Sequence, residues 1–311
     1  MSELETAVDT VVRRCLGVRG GEQVVVVVDR GTRTIGDALR DGADRAGADA
    51  VLTVMAPRDE HGQEPPAAVA AALAAADAFI APTTKSLSHT TARKLATERG
   101  ARGATLPGVT EDMLARLMAC DFAVLQRRSA RLADLITDSD AARVTCPRGT
   151  DLLLDLTGRA GIADDGDLTA PGAFGNLPCG EGFTSPLSGT GRMVAGSLAS
   201  IGLATSTLTI EDGNLVDATG PEGARLLESL DAAGPQGRNL AELGIGTNER
   251  ATLTGNILED EKILGSVHIA FGASAGIGGT VSVPVHLDCV ILDASLTIGD
   301  TQVLDAGAFL L

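Results

Sequence analysis

The chain has 311 residues, 44% of them hydrophobic but only 2% aromatic, with no Trp or Tyr and a net charge of −16. This length suits two cores better than one, and the apolar content excludes a disordered chain. A reader of nucleic acid needs cations against phosphates and rings against bases, and this composition supplies neither in excess.

The acidic surplus has two readings: a surface kept soluble by charge, or carboxylates balanced by bound divalent cations. Cys15, Cys120, Cys146, Cys179 and Cys289 are scattered, without a CxxC pair. That excludes a disulfide framework and a zinc ribbon. The opening segment MSELETAVDTVVRRC is charged and amphipathic, not a secretory apolar core, and no apolar run approaches a membrane span. The expected compartment is the cytoplasm.

In chain order, QVVVVV (23–28) is a β-branched run without polar alternation, which predicts a strand buried on both faces. A helix follows over 34–46, with Ile35, Ala38, Leu39 and Ala43 on one stripe. Next come a strand at 50–55, an Ala-rich helix at 66–76, a strand at ADAFIAP and a helix starting near Ser88 or Thr90. A short strand near Ala104–Leu106 and helices near 110–119 and 124–136 complete the first half. Strands alternating with helices predict a doubly wound, mostly parallel sheet. The turn after the first strand lacks GxGxxG, and the chain has no Walker A lysine motif, so this sheet reads as a scaffold and not a nucleotide site.

The texture changes near Thr145. From there the apolar runs are short, Gly-rich and punctuated by turns. Val144–Cys146, Leu152–Leu156, Thr207–Ile210, Ser266–Phe271, Val281–Ile291 and Leu296–Ile298 read as strands, and Pro221–Leu230 as a helix with Pro near its start. The expected fold class is α/β: an α/β scaffold domain over 1–143 that contributes to the substrate site, and a β-rich catalytic domain over 144–311.

Two of the four histidines, His268 and His286, stand inside apolar strand-like runs. A buried imidazole must satisfy both ring nitrogens, by hydrogen bonding or by ligation. In VPVHLDCV, His286 and Asp288 are two apart, so a strand projects both from one face. A Gly-rich loop (GASAGIGG) separates them from GSVHIAFG, so pairing of the two strands would bring His268 alongside. Two imidazoles and one carboxylate suit Fe(II), Zn(II), Mn(II) or Co(II). Glu181, between glycines, and Glu242, in NLAELGIGTN, lie in segments unlike a solvated helix face; burial there demands a partner, which a metal would be. The run Glu259, Asp260, Glu261, Lys262 reads either as a solvated turn or as a set that orients ligands, with Lys262 neutralising surplus carboxylate.

The segments GNLPCGEGFTSP, AELGIGTN, TGNILEDEKILGSVHIAFG and HLDCV, in that order, resemble the metallo-aminopeptidase family of aminopeptidase T and aminopeptidase S. The resemblance implies two divalent ions (zinc, cobalt or manganese) on Glu181, Glu242, His268, His286 and Asp288. It also implies a homodimer and hydrolysis of short peptides or a related small amide by metal-activated water. One departure is Ala275, where those peptidases carry a Tyr. The segment KSLSHTTARKL is similar to a second branch of the superfamily, an iron(II) ring-cleaving dioxygenase of 2,5-dihydroxypyridine. On that alternative one Fe(II) rests on His268, His286 and Asp288. Glu181 and His89 are then the catalytic acid–base groups, acting on a hydroxylated pyridine or similar ring. His61, in a polar loop, reads as surface.

Overall fold

The computed structural model describes residues 2–199 and 201–311, and these fall into two compact units. The first comprises the chain up to Cys120 together with Gly166–Cys179; the second comprises Asp121–Asp165 and Gly180–Leu311.

The first unit is built on a parallel sheet in the order Asp49–Val54, Gln23–Val28, Ala78–Ala81, Arg102–Thr105, Phe174–Asn176. The order reverses beside Gln23–Val28, the doubly wound pattern expected from the sequence. Gln23–Val28 is flanked on both sides, so its valines are buried, whereas Asp49–Val54 is an edge strand and half exposed. Helix Arg33–Arg45 buries Ile35, Leu39 and Ala43 of the expected stripe together with Gly36 and Gly42, while Ala38 is only half-buried. Thr90 caps helix Thr91–Glu98 by accepting the Arg93 N–H.

Beyond the carboxyl ends of these strands lies a polar rim. Asp29 is fully buried and accepts hydrogen bonds from Gly31 N–H, Thr84 N–H and the Thr84 hydroxyl. Ser86, Ser88, Thr105 and Asn176 form a second chain of bonds, with Ser88 and Thr105 hydroxyls 2.7 Å apart.

The division of the chain differs from the sequence boundary at 143/144. Helix Phe122–Thr137, expected to finish the first half, belongs to the second unit. Asp121 caps it through the Ala123 and Val124 N–H groups, and its stripe of Phe122, Leu125, Ser129, Leu132 and Ile136 is buried. A Cβ at Gly182 would lie 2.5 Å from Leu132 Cβ, so only glycine lets this helix approach the strand Glu181–Thr184 so closely. Conversely, Phe174–Asn176 lies beyond the boundary expected at 143/144 yet joins the parallel sheet of the first unit.

Among the described residues the second unit carries a thirteen-stranded antiparallel sheet. Its core gathers Val144, Leu152, Leu154, Met193, Leu208, Ile245, Ile269, Phe271, Cys289 and Ile291 beside Leu132 and Ile136 of the helix. The strands read at 144–146, 152–156, 207–210, 266–271 and 296–298 all occur, shifted or lengthened at their ends. The run 281–291 is a strand only over His286–Ile291, because Pro284 and the glycines before it form a loop closed by Ser274 and Val281. Helix Gly220–Ala232 stands where Pro221–Leu230 was expected, and a one-turn helix, Ile257–Asp260, is added.

Candidate metal centre

Four neighbouring strands build the site: Glu181–Thr184, Leu240–Gly246, Val267–Gly272 and His286–Ile291. Residues directly opposite one another on antiparallel strands share a face. Glu242, Ala270 and Asp288 form one row across three strands. His268 stands opposite Gly244, His286 opposite Gly272 and Glu181 opposite Gly246. All five candidate ligands therefore project from one face, and the expected pairing of the His268 and His286 strands is present.

Glycine makes room for the imidazole. A Cβ on Gly244 would lie 2.0 Å from His268 Nε2, so any other residue there would occupy the place of the ring. Gly246 serves a different contact: its missing Cβ lets the backbone of Lys262 and Ile263 close over the sheet, with Ile263 O at 2.1 Å from the ideal Cβ position.

The donors converge. His268 Nε2 is 3.1 Å from Glu181 Oε2 and 3.4 Å from Glu242 Oε1; His286 Nε2 is 3.0 Å from Glu242 Oε2 and 3.5 Å from Asp288 Oδ1. They form two sets able to hold an ion, Glu181–Glu242–His268 and Glu242–His286–Asp288, and Glu242 belongs to both. The residues fit a metal. His268 Nδ1 and Nε2 are buried and have no aligned hydrogen-bond partner among the described residues, which is costly for an imidazole unless a cation takes one ring nitrogen. His286 Nδ1 is 2.7 Å from Ala273 O, which places a proton on Nδ1 and turns Nε2 towards Glu242 and Asp288.

The acidic turn resolves the two sequence readings. Glu259, Asp260, Glu261 and Lys262 are all buried, so it is not a solvated turn. Glu259 accepts Thr252 N–H and its hydroxyl. Asp260 accepts Thr254 and Gly255 N–H groups and the Ser197 hydroxyl at 2.6 Å. These bonds fix the turn so that Glu261 and Lys262 face the ligands. Lys262 Nζ lies 2.5 Å from Glu181, 2.9 Å from Glu261 and 3.4 Å from Asp164. The sequence had not marked Asp164; its signal, an acidic residue in a short Gly- and Asp-rich segment, resembles any surface turn.

Electrostatics follow from burial and pairing. Burial raises the Glu181 carboxyl, but Lys262 and His268 outweigh it and hold it down at about 2. Burial opposes protonation of His268, yet Glu181 and Glu242 raise it well above the usual imidazole range; Asp288 and Glu242 do the same for His286 against the same penalty. Burial carries Asp164 up to about 7 and Glu261 to about 8, with Lys262 opposing both. Of the other sequence candidates, His89 is exposed in the turn before helix Thr91–Glu98, in the first unit. His61 is exposed and its Nδ1 accepts the Ser86 N–H. Ala275 is exposed in the loop before Val281 and offers a methyl where a phenol was absent by sequence.

Two outcomes follow. Gly244→Ala should displace the His268 ring and weaken divalent-metal binding by more than the roughly 10–100-fold typical of an outer-shell change. Titration calorimetry with Mn²⁺ checks this, and unchanged affinity would contradict the packing. Metal must also displace a proton from each raised imidazole, whereas Glu181 and Glu242 are already ionised near neutrality. Affinity should therefore rise as pH rises through neutrality and fall on acidification, with proton release visible as a dependence of binding heat on buffer. A pH-independent affinity would refute the charge assignment.

The family model of NicX, described as 2,5-dihydroxypyridine 5,6-dioxygenase, matches residues 3–311. No curated protein matches the chain. The 2,5-dihydroxypyridine dioxygenase of Pseudomonas putida KT2440 is similar in structure, with a TM-score of 0.84 at 20% identity, covering 100% of this chain and 98% of that one. Wild-type AmpT of Thermus thermophilus is similar too, with a TM-score of 0.74 at 20% identity and 99% coverage of both. At such identities these likenesses establish the fold alone, in keeping with the two branches read from the sequence motifs. The family match spans nearly the whole chain, and the chain belongs to the NicX (2,5-dihydroxypyridine 5,6-dioxygenase) family.

Proposed function

We propose that this chain is an oxygen-using metalloenzyme that opens a small hydroxylated aromatic ring of the dihydroxypyridine kind, with one Fe(II) held by His268, His286 and Asp288. The observation that carries this reading is the full-length family match, joined to two imidazoles and a carboxylate converging from adjacent strands. Two imidazoles and one carboxylate would hold Fe(II), and the iron would supply the activation of oxygen. In such a reaction one ring carbon–carbon bond breaks and both atoms of O₂ enter the product.

The chain's own residues do the rest. The Ala273 carbonyl orients His286. Glu242, beside both imidazoles, fixes their separation or serves as a further ligand. Glu181 has one oxygen taken by Lys262 and the other facing His268, so it is the acid–base candidate nearest the ligands. Lys262, and the charge of an ion held on His268 beside it, would keep Glu181 ionised, so that it could accept a hydrogen bond from a ring hydroxyl. His89 is the second acid–base candidate.

A second reading, a two-ion hydrolase of the aminopeptidase type, is favoured by one specific observation: Glu242 belongs to both donor sets, as a bridging carboxylate would. Oxygen separates the two. With anaerobically iron-loaded protein and a panel of hydroxypyridines and catechols, the dioxygenase reading expects one O₂ consumed per ring lost. It also expects His286→Ala to abolish the reaction together with metal binding. Release of N-terminal residues from short peptides without oxygen, and no uptake with any ring, would replace it by the hydrolase. His89→Ala should lower kcat by about 10²–10⁴, the usual worth of a general acid–base group, with metal content unchanged. An unchanged kcat would remove His89 from the acid–base groups.

A further inference from the structure

Lys262 is 1% exposed, and it is among the largest fully buried side chains of the molecule. An ammonium has three donors and no acceptor, and here three carboxylates surround it: Glu181, Glu261 and Asp164. Its backbone is pinned as firmly as its head. Lys262 N–H bonds to Glu259 O, Lys262 O accepts Asn248 N–H, and Gly246 lets this segment press against the sheet. The ammonium cannot swing away to solvent.

Its position divides the two donor sets. Glu181 Oε1 is bound by the ammonium at 2.5 Å, leaving only Oε2 for any ion, and that oxygen is shared with His268. The other set, Glu242–His286–Asp288, contains no oxygen that Lys262 touches. A dication seated on Glu181 would face a fixed positive charge across a buried carboxylate, where like charges repel far more strongly than in water.

We infer that Lys262 is a resident cation standing in for a second metal ion: it neutralises Glu181 and limits this five-ligand cluster to one ion, on Glu242, His286 and Asp288 with His268. This deepens the one-iron reading of the site and rests on it. The chemistry of oxygen is not part of the inference, so the two fail separately.

The test uses the full chain with Mn²⁺ alone as probe. The wild type should bind one Mn²⁺ with an uncoupled six-line EPR signal. Lys262→Met, which removes the charge but keeps a chain of similar length, should bind two, with the signal broadened by coupling between neighbouring ions. Lys262→Arg should bind one. Two ions in the wild type, or one in folded Lys262→Met, would overturn the inference, the second without touching the dioxygenase reading. Should circular dichroism show Lys262→Met unfolded, Glu181→Gln decides. A residue claimed by lysine and not by metal can be neutralised with less than about a tenfold loss of Mn²⁺ affinity, the lower edge of an outer-shell effect. A larger loss would make Glu181 a ligand and overturn the inference.

Discussion

Glu181, Glu242 and Asp288 on one sheet face, Asp164 opposite Glu181 and Glu261 in the turn beside them crowd one small region. Uncompensated, such a concentration of carboxylate would not fold, because each buried charge costs several kcal/mol before it finds a partner. Much of the second unit is arranged around that constraint. Two imidazoles are drawn between the carboxylates, one lysine is locked among three of them, and an acidic turn spends two of its side chains on holding the lysine in place. The glycines at 244 and 246 are the steric counterpart, one clearing space for a ring and the other for a backbone.

Much of this was legible in the sequence because it is local or periodic. The valine run gave a central strand, and the i, i+2 spacing of His286 and Asp288 gave a shared face. The glycine-rich stretch between the two histidines marked a connection between paired strands. The illegible parts depend on long-range partners. Nothing within Phe122–Thr137 says which sheet its apolar stripe covers, and Phe174–Asn176 is too short and too glycine-bearing to announce itself as a strand. Ser188–Leu198 is the longest strand of the second unit, but its sequence, SGTGRMVAGSL, lacks clean alternation because it exchanges neighbours along its length. For Glu259–Lys262, the same four charges would suit a solvated turn; burial is a property of Gly246 and the strand beneath it.

The likeness of one chain to both a dioxygenase and AmpT shows how little a scaffold decides by itself. Antiparallel strands deliver ligands to one face whatever the chemistry. What selects a chemistry must be the number of ions the face admits, the protons its neighbours hold, and what the loops exclude. In this chain the first two depend on side chains named above. The first unit, by contrast, has no phosphate loop, and its sheet ends in hydroxyls and a carboxylate already bonded to one another.

The register of the ligand strands also sets where the protein can tolerate changes of length during evolution. Inserting or deleting a single residue between Val267 and Gly272, or between His286 and Asp288, would turn every later side chain of that strand to the opposite face and scatter the cluster. The segment 273–285 obeys no such rule. It lies outside the ladder, contains three glycines, and connects strands already held together by their own pairing, so added residues cost little in closure entropy. Lineages built on this frame are therefore free to lengthen, shorten or recolour that one loop, changing what is admitted near His286 while the ligands stay in place.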